Sequence, residues 1–143
     1  MAVLITIGSN GEPMPTPIWF LFRDGVFYFR TARDAIKTRN IERDSRVSIC
    51  VQDERPPYRA VIAYGRAEVG QEQDRLAQEM ARHYLGAIGA MGYRAAARQS
   101  IEQGTEVTLT LRPTSFATFD FSSDTPPVGR IWLWLKRFLP PSL

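Results

Sequence analysis

Arg33, Lys37 and Asn40 fall at i, i+4 and i+7 within TARDAIKTRN, residues 31–40. If that stretch is helical, two cations and an amide share one face. Thr31 and Asp34 have capping-box spacing, which predicts a helix starting there and running over about residues 33–43. The free N–H groups at a helix N-terminus also favour an anion. Such a constellation would hold a phosphate. The other reading of the same residues is a solvated basic face. Thr31 reads either as the helix cap or as a phosphate contact.

Charge is concentrated around this segment. Between Arg30 and Arg46 there are six cations against three carboxylates, an excess equal to the +3 of the whole 143-residue chain. A local basic cluster points to an anionic ligand more than to nucleic acid. Nucleic-acid binding is not expected, because the aromatics cluster in apolar strands instead of interleaving with cations. The lone cysteine, Cys50, rules out a disulfide framework within the chain. It is expected as a small buried side chain in the strand VSICV. His83 has no second metal ligand nearby and is read as a surface or packing residue, so a zinc site or a Ser-His-Asp triad is not expected. A hydrophobic content of 44% over 143 residues suits one domain, residues 1–143. No signal peptide or membrane-length apolar run is seen, and the cytoplasm is the expected compartment.

The elements that must position these residues are mostly strands. Val3–Ile7 is an apolar strand followed by the turn signal Ser9-Asn10-Gly11. Ile18–Phe22 is the next, approached through Pro13, Pro15 and Pro17, which cannot donate ladder hydrogen bonds and so suggest an irregular or edge approach. Asp24-Gly25 turns the chain into Val26–Phe29. Strands are also predicted at Arg46–Val51, at Tyr58–Val69 with a bulge near Gly65, at Glu106–Leu111 and at Ser115–Phe121. Residues 71–103 read as helical, broken by Gly86, Gly89 and Gly92. Runs of strands with two helical insertions predict a mainly β protein, a closed barrel with added helices. The tail Gly129–Leu139, GRIWLWLKRFL, is too apolar to stay in water. Packing on its own barrel or on a second subunit is one reading of residues 129–143. Attachment to a membrane surface is the other.

Taken together, AVLITIGSNGEPMPTPIWF, DGVFYFRTARDAIKTRNIERDSRVSICV and YRAVIAYGRAEV resemble the split β-barrel flavin and deazaflavin oxidoreductases, the pyridoxamine-phosphate-oxidase-like group. Pro17-Ile18-Trp19-Phe20, Lys37-Thr38-Arg39-Asn40 and Gly65-Arg66-Ala67-Glu68 carry the likeness by their order and spacing. The resemblance implies a homodimer with two cofactor sites at the subunit interface and a small-molecule substrate. Members bind FMN or coenzyme F420, and some handle haem. The Pro-x-Trp-Phe and Lys-x-Arg-Asn elements are most similar to the coenzyme F420 users, with an FMN-dependent oxidoreductase or a non-catalytic flavin- or haem-binding protein as the alternatives.

The resemblance implies that Lys37 and Asn40 hold the phosphate side of the cofactor. It also implies that Tyr58-Arg59 would come from the partner subunit. The backbone of Thr16, Pro17 to Trp19 is read as lining the ring edge, with simple barrel packing as the other reading of Trp19. Relatives often carry an arginine where Ala35 stands, and Arg33, one helical turn before Lys37, is expected to substitute. They also carry a helix ahead of the first strand, and the Trp-rich tail is expected to cover the surface that such a helix would cover. A hydride-transfer protein needs no acid–base pair or nucleophile of its own, because the cofactor carries the chemistry, and no catalytic side chain is expected.

Overall fold

The elements follow one another as β1 (Ala2–Ile7), β2 (Pro13–Ile18), β3 (Phe20–Arg23), β4 (Val26–Ala32), α1 (Ile36–Arg43), β5 (Arg46–Asp53), β6 (Arg59–Gln71), α2 (Asp74–Glu102) and β7 (Glu106–Asp120). The computed structural model describes residues 1–53, 55 and 57–121, apart from the side chains of residues 94–97 and 101. The apolar tail over 129–143 therefore lies outside the described residues.

The strand order is β2-β1-β5-β6-β7-β4-β3, antiparallel throughout. Its two edges, β2 and β3, are separated in sequence by Trp19 alone. Ile18 and Phe20 are two Cα steps apart, at most about 7 Å. Six interstrand spacings in a flat sheet would hold the edges roughly 29 Å apart. The sheet is thus curled until its edges meet at Trp19, and the result is a split β-barrel.

Side chains alternate as strands require. β1 buries Ala2, Leu4 and Thr6, and β4 buries Phe27, Phe29 and Thr31. β5 adds Val47 and Ile49, and β7 adds Val107, Leu109 and Leu111. Ile41 of α1 closes the same cluster. Each large apolar side chain in it stabilises the fold by about 1.5–3 kcal/mol. β6 faces this core with small residues, Ala63 and Ala67, and the expected bulge falls between them, at Tyr64/Gly65. A Cβ on Gly65 would lie 2.2 Å from the carbonyl oxygen of Arg112, so only glycine permits the approach of β7 there.

Three expectations change. First, the prolines do not merely precede a strand but form one, β2, paired from Ile7↔Pro13 to Ala2↔Ile18. Pro13, Pro15 and Pro17 share one parity, so all three imide nitrogens face away from β1. On an edge strand that costs no ladder bond and blocks further strand addition. Second, Glu106–Leu111 and Ser115–Phe121 are one strand, because Pro113 falls opposite Gly65 at the bulge, where the register already shifts. Third, the helix predicted from residue 33 starts at Ile36, with Ala35 as a cap that makes no side-chain bond. Thr31 is not a cap. It belongs to β4, whose ladder with β7 continues through Thr31↔Val107 to Ala32↔Glu106.

α2 is kinked at Gly86, whose φ of 70° and ψ of −179° leave the helical region. Its first half buries Leu76, Ala77, Met80 and Ala81. It lies across the outer side of the β3–β4 hairpin, where Glu79 pairs with Arg23 and the Tyr84 hydroxyl bonds both the N–H and the C=O of Phe20. Among the described residues, no helix is long and apolar enough to cross a membrane.

Candidate functional site

The crossing from β2 to β3, the end of β4, the start of α1 and the underside of α2 converge on one cavity of about 250 Å³. It is lined by Met1, Pro17, Ile18, Trp19, Arg30, Thr31, Lys37, Met80 and Tyr93. Its aromatic wall is fixed by packing: Trp19 stacks on Tyr84 at 4.8 Å and 4°, and meets the Tyr93 ring at 6.3 Å.

Lys37 reaches this cavity because α1 is pinned from below. The Thr38 hydroxyl donates to the Ala32 carbonyl at 2.9 Å, which seats the first turn on the end of β4. The Asn40 amide donates to the Thr6 hydroxyl at 3.0 Å, tying the helix to β1. Arg43 donates to the Ile7 carbonyl at 2.5 Å and to the Asn40 side-chain oxygen at 3.2 Å. Held in this way, the half-buried Lys37 places its ammonium 3.3 Å from the Thr31 hydroxyl, and no carboxylate pairs with it among the described residues. A half-buried cation without a counter-charge fits an anionic group such as a phosphate.

Arg30 is built differently. It lies on the outer face of β4, opposite Thr108, and α2 covers it. Its side chain is only 10% exposed. Nε donates to Glu72 at 2.9 Å, and Glu106 lies 3.9 Å from the same nitrogen. One terminal nitrogen donates to the Tyr93 hydroxyl, and the guanidinium carbon lies 5.3 Å from the centre of that ring. The other terminal nitrogen, Nη2, is buried and has no acceptor among the described residues. Glu72 is nearly sealed, with 4% of its side chain exposed. Burial pushes its carboxyl above the ordinary range, and Glu106 adds to the shift, while Arg30 and the Thr108 hydroxyl oppose it.

Of the residues singled out in the sequence, Pro17, Trp19, Thr31 and Lys37 line this one cavity. The shared face of Arg33, Lys37 and Asn40 does not form, since Arg33 precedes the helix. Arg33 turns to the α2–β7 connection: its Nε donates to the Gly104 carbonyl at 3.2 Å and its N–H to that of Thr105 at 2.8 Å. It lines a separate open hollow with Glu42 and Gln71. Asn40 is 3% exposed and fully engaged in the core. Thr16 is half-buried in β2 opposite Leu4. Tyr58 and Arg59 border another hollow, with Gln52, Asp53, Ala60 and Phe121. Arg30, Tyr93 and Glu72 were not foreseen as site residues. A lone charge ending the apolar run VFYFR was the available sign for Arg30.

Comparison with known proteins follows the same lines. The sequence profile of the pyridoxamine 5'-phosphate oxidase family matches residues 1–119. No match was found among curated proteins. Among solved structures, a conserved hypothetical protein from Mycobacterium tuberculosis is 25% identical, with a TM-score of 0.70 over 88% of this chain and 80% of its own. An F420 reductase is 22% identical, with a TM-score of 0.64 over 81% of this chain and 87% of its own. A haem-binding protein from Mycobacterium smegmatis is 22% identical, with a TM-score of 0.56 over 83% of this chain and 52% of its own. The chain thus belongs to the pyridoxamine 5'-phosphate oxidase family, a group of split-barrel, flavin-binding oxidoreductases.

Proposed function

We propose that the protein is a homodimeric oxidoreductase that binds coenzyme F420 and reduces a small conjugated acceptor. The observation that carries this is Lys37: a half-buried ammonium with one hydroxyl partner, on the wall of an aromatic cavity. The F420 reductase among the structural relatives supports the choice of cofactor. Lys37 and Thr31 would hold its anionic arm, and Pro17 and Trp19 would line its ring. The bound cofactor supplies the hydride chemistry. The residues here bind, orient and exclude water, which accounts for a site without a nucleophile.

The dimer is supported by exposed apolar side chains on both faces of the β6–β7 ribbon. Tyr58, Tyr64, Phe119 and Phe121 lie on one face and Val61 and Phe116 on the other, each between 38% and 56% exposed. Exposed apolar surface of this kind marks an interaction surface. A second copy seated on it would cover the hollow at Tyr58 and Arg59 and carry that loop toward a neighbouring site.

A charge-assisted hydrogen bond contributes about 1.5–3 kcal/mol. Micromolar binding needs roughly 8 kcal/mol, so Lys37 supplies a substantial share. The test is a parallel calorimetric titration with coenzyme F420, FMN and haem, alongside sedimentation velocity. Coenzyme F420 is expected to bind most tightly, to a dimer, and Lys37→Ala to weaken it at least about tenfold. Unchanged affinity in Lys37→Ala removes the lysine from the site. Tighter binding of FMN, visible also as a flavin spectrum in the purified protein, replaces the cofactor. A monomer at micromolar concentration removes the interface.

A further inference from the structure

One strand of the barrel has an open side. The ladder between β4 and β7 ends at Phe27↔Leu111, while the ladder between β6 and β7 runs on to Arg59↔Asp120. From Arg112 to Phe119, β7 therefore has β6 on one side and no strand on the other among the described residues. Every second residue there presents its N–H and C=O to the open side. These eight residues extend over about 26 Å. Proteins blunt such edges with charge, proline or cover. β2 carries three prolines, and β3 lies under α2. Residues 114–119 of β7, Thr-Ser-Phe-Ala-Thr-Phe, have neither charge nor proline. Apolar side chains flank the edge on both faces, with Phe116 56% and Phe119 44% exposed.

The sequence that follows suits this edge. The chain leaves β7 beside it, where the Phe121 N–H still bonds the Tyr58 carbonyl at 3.1 Å. Residues 122–129, SSDTPPVG, then supply the turn formers Asp124, Pro126, Pro127 and Gly129. Residues 130–138 read RIWLWLKRF, with six apolar side chains in nine positions, aromatic and branched types that favour strands. From Ile131 to Leu135 both parities are apolar. A strand of that pattern offers apolar side chains to both faces, as the neighbourhood of Phe116 and Phe119 requires. Arg130 and Lys136-Arg137 bracket the run, so the new outer edge would carry the charge that stops further strand addition.

We propose that residues 130–138 turn back through a hairpin and add to the open edge of β7 as an eighth strand, antiparallel to it. The occupant of the edge is thus the chain's own apolar segment. Backbone bonding fixes its register, and aromatic contacts on both faces hold it. This pairing stands apart from the cofactor reading, since it touches neither Lys37 nor Trp19.

Hydrogen exchange on the full chain at low concentration tests it. The amides of residues 114–119 that do not bond β6 are expected to be protected. Leu133→Pro removes a ladder donor and should speed their exchange at least about tenfold, while the amides of β1 and β5 keep their protection. Oxidative cross-linking serves if Leu133→Pro does not fold. In a Cys50→Ala background, Ala117→Cys is combined in turn with Ile131→Cys, Trp132→Cys, Leu133→Cys, Trp134→Cys and Leu135→Cys. Bridges are expected within one chain and at alternate partners only, because successive side chains of a strand point to opposite faces. Unprotected amides, protection that survives Leu133→Pro, or bridges at consecutive partners or at none overturn the proposal. Bridges formed only between copies, seen as a covalent dimer on a non-reducing gel, overturn it as well and seat a second copy on the edge.

Discussion

Asn40 separates two accounts of the β4–α1–β5 segment, and its replacement by alanine tells them apart. As a phosphate ligand, Asn40 would matter to binding and little to stability. The geometry makes it a structural pin: it is 3% exposed and donates at 3.0 Å to Thr6, which is fully buried. Asn40→Ala leaves the Thr6 oxygen without its donor inside the barrel, a loss of about 1–3 kcal/mol. The missing amide also leaves a gap beside Met14, adding something on the order of 1 kcal/mol. Arg43 keeps the Ile7 carbonyl, so its end of the network costs little. The sum, about 2–4 kcal/mol, corresponds to a fall in Tm of roughly 5–15 °C for a chain of this size. Differential scanning calorimetry measures it. The double variant Thr6→Val, Asn40→Leu removes both polar partners and should recover at least about 1 kcal/mol relative to the summed single losses. At a temperature where Asn40→Ala is folded, its affinity for the cofactor should stay within about threefold of wild type, a difference under 1 kcal/mol. An unchanged Tm with a tenfold loss of affinity would refute the structural role and restore Asn40 to the binding site.

Two further substitutions probe the scaffold. Gly65→Ala forces a Cβ against the Arg112 backbone and should destabilise by about 1–3 kcal/mol, read as a lower urea midpoint with unchanged slope; a shift below about 0.5 kcal/mol would mean that the bulge relaxes freely. The Asp44 carboxyl is held down at about 2 by the side chain and N–H of Arg46, from an ordinary value of 3.8. A depressed carboxyl stabilises the fold above its unfolded value and loses that contribution as the pH falls toward 2. Wild type should therefore be more stable than Asp44→Asn at pH 6, and the gap in urea midpoint should close between pH 4 and 2. Glu72 has the opposite sign, since burial raises it, and it cancels in the comparison because both proteins carry it.

Much of the barrel was legible in the sequence because period-two alternation survives wherever one face is buried. β1, with Ala2, Leu4 and Thr6 inward, and β4, with Phe27 and Phe29 inward, are direct cases. The bulge was legible because a glycine inside a strand pattern has few other uses. What escaped depended on partners distant in sequence. The triple-proline run looks like a break, and becomes a strand only because its parity points every missing donor away from β1. Thr31 satisfies a capping pattern locally, yet pairing with Val107 in β7 keeps it in the sheet. Lys37 could be picked out as a cation in a basic segment, whereas Arg30 could not be distinguished from it. The difference between them is made by Glu72, Glu106 and Tyr93, which lie 42, 76 and 63 residues further along the chain.

That difference has one cause in the chain's own geometry. α1 has eight residues, too few to be stable alone, and no side-chain cap at Ala35. It exists because Thr38, Asn40 and Ile41 are anchored to the barrel, and the same anchors direct Lys37 toward the cavity. Seven residues earlier, alternation along β4 turns Thr31 inward to meet Lys37 and sends Arg30 outward beneath α2, where two carboxylates neutralise it. A single strand-to-helix connection thus carries two cations of different standing, Lys37 with charge to offer and Arg30 with its charge already taken. A site formed by the basic face alone would offer several free cations to any polyanion, whereas this cavity offers one.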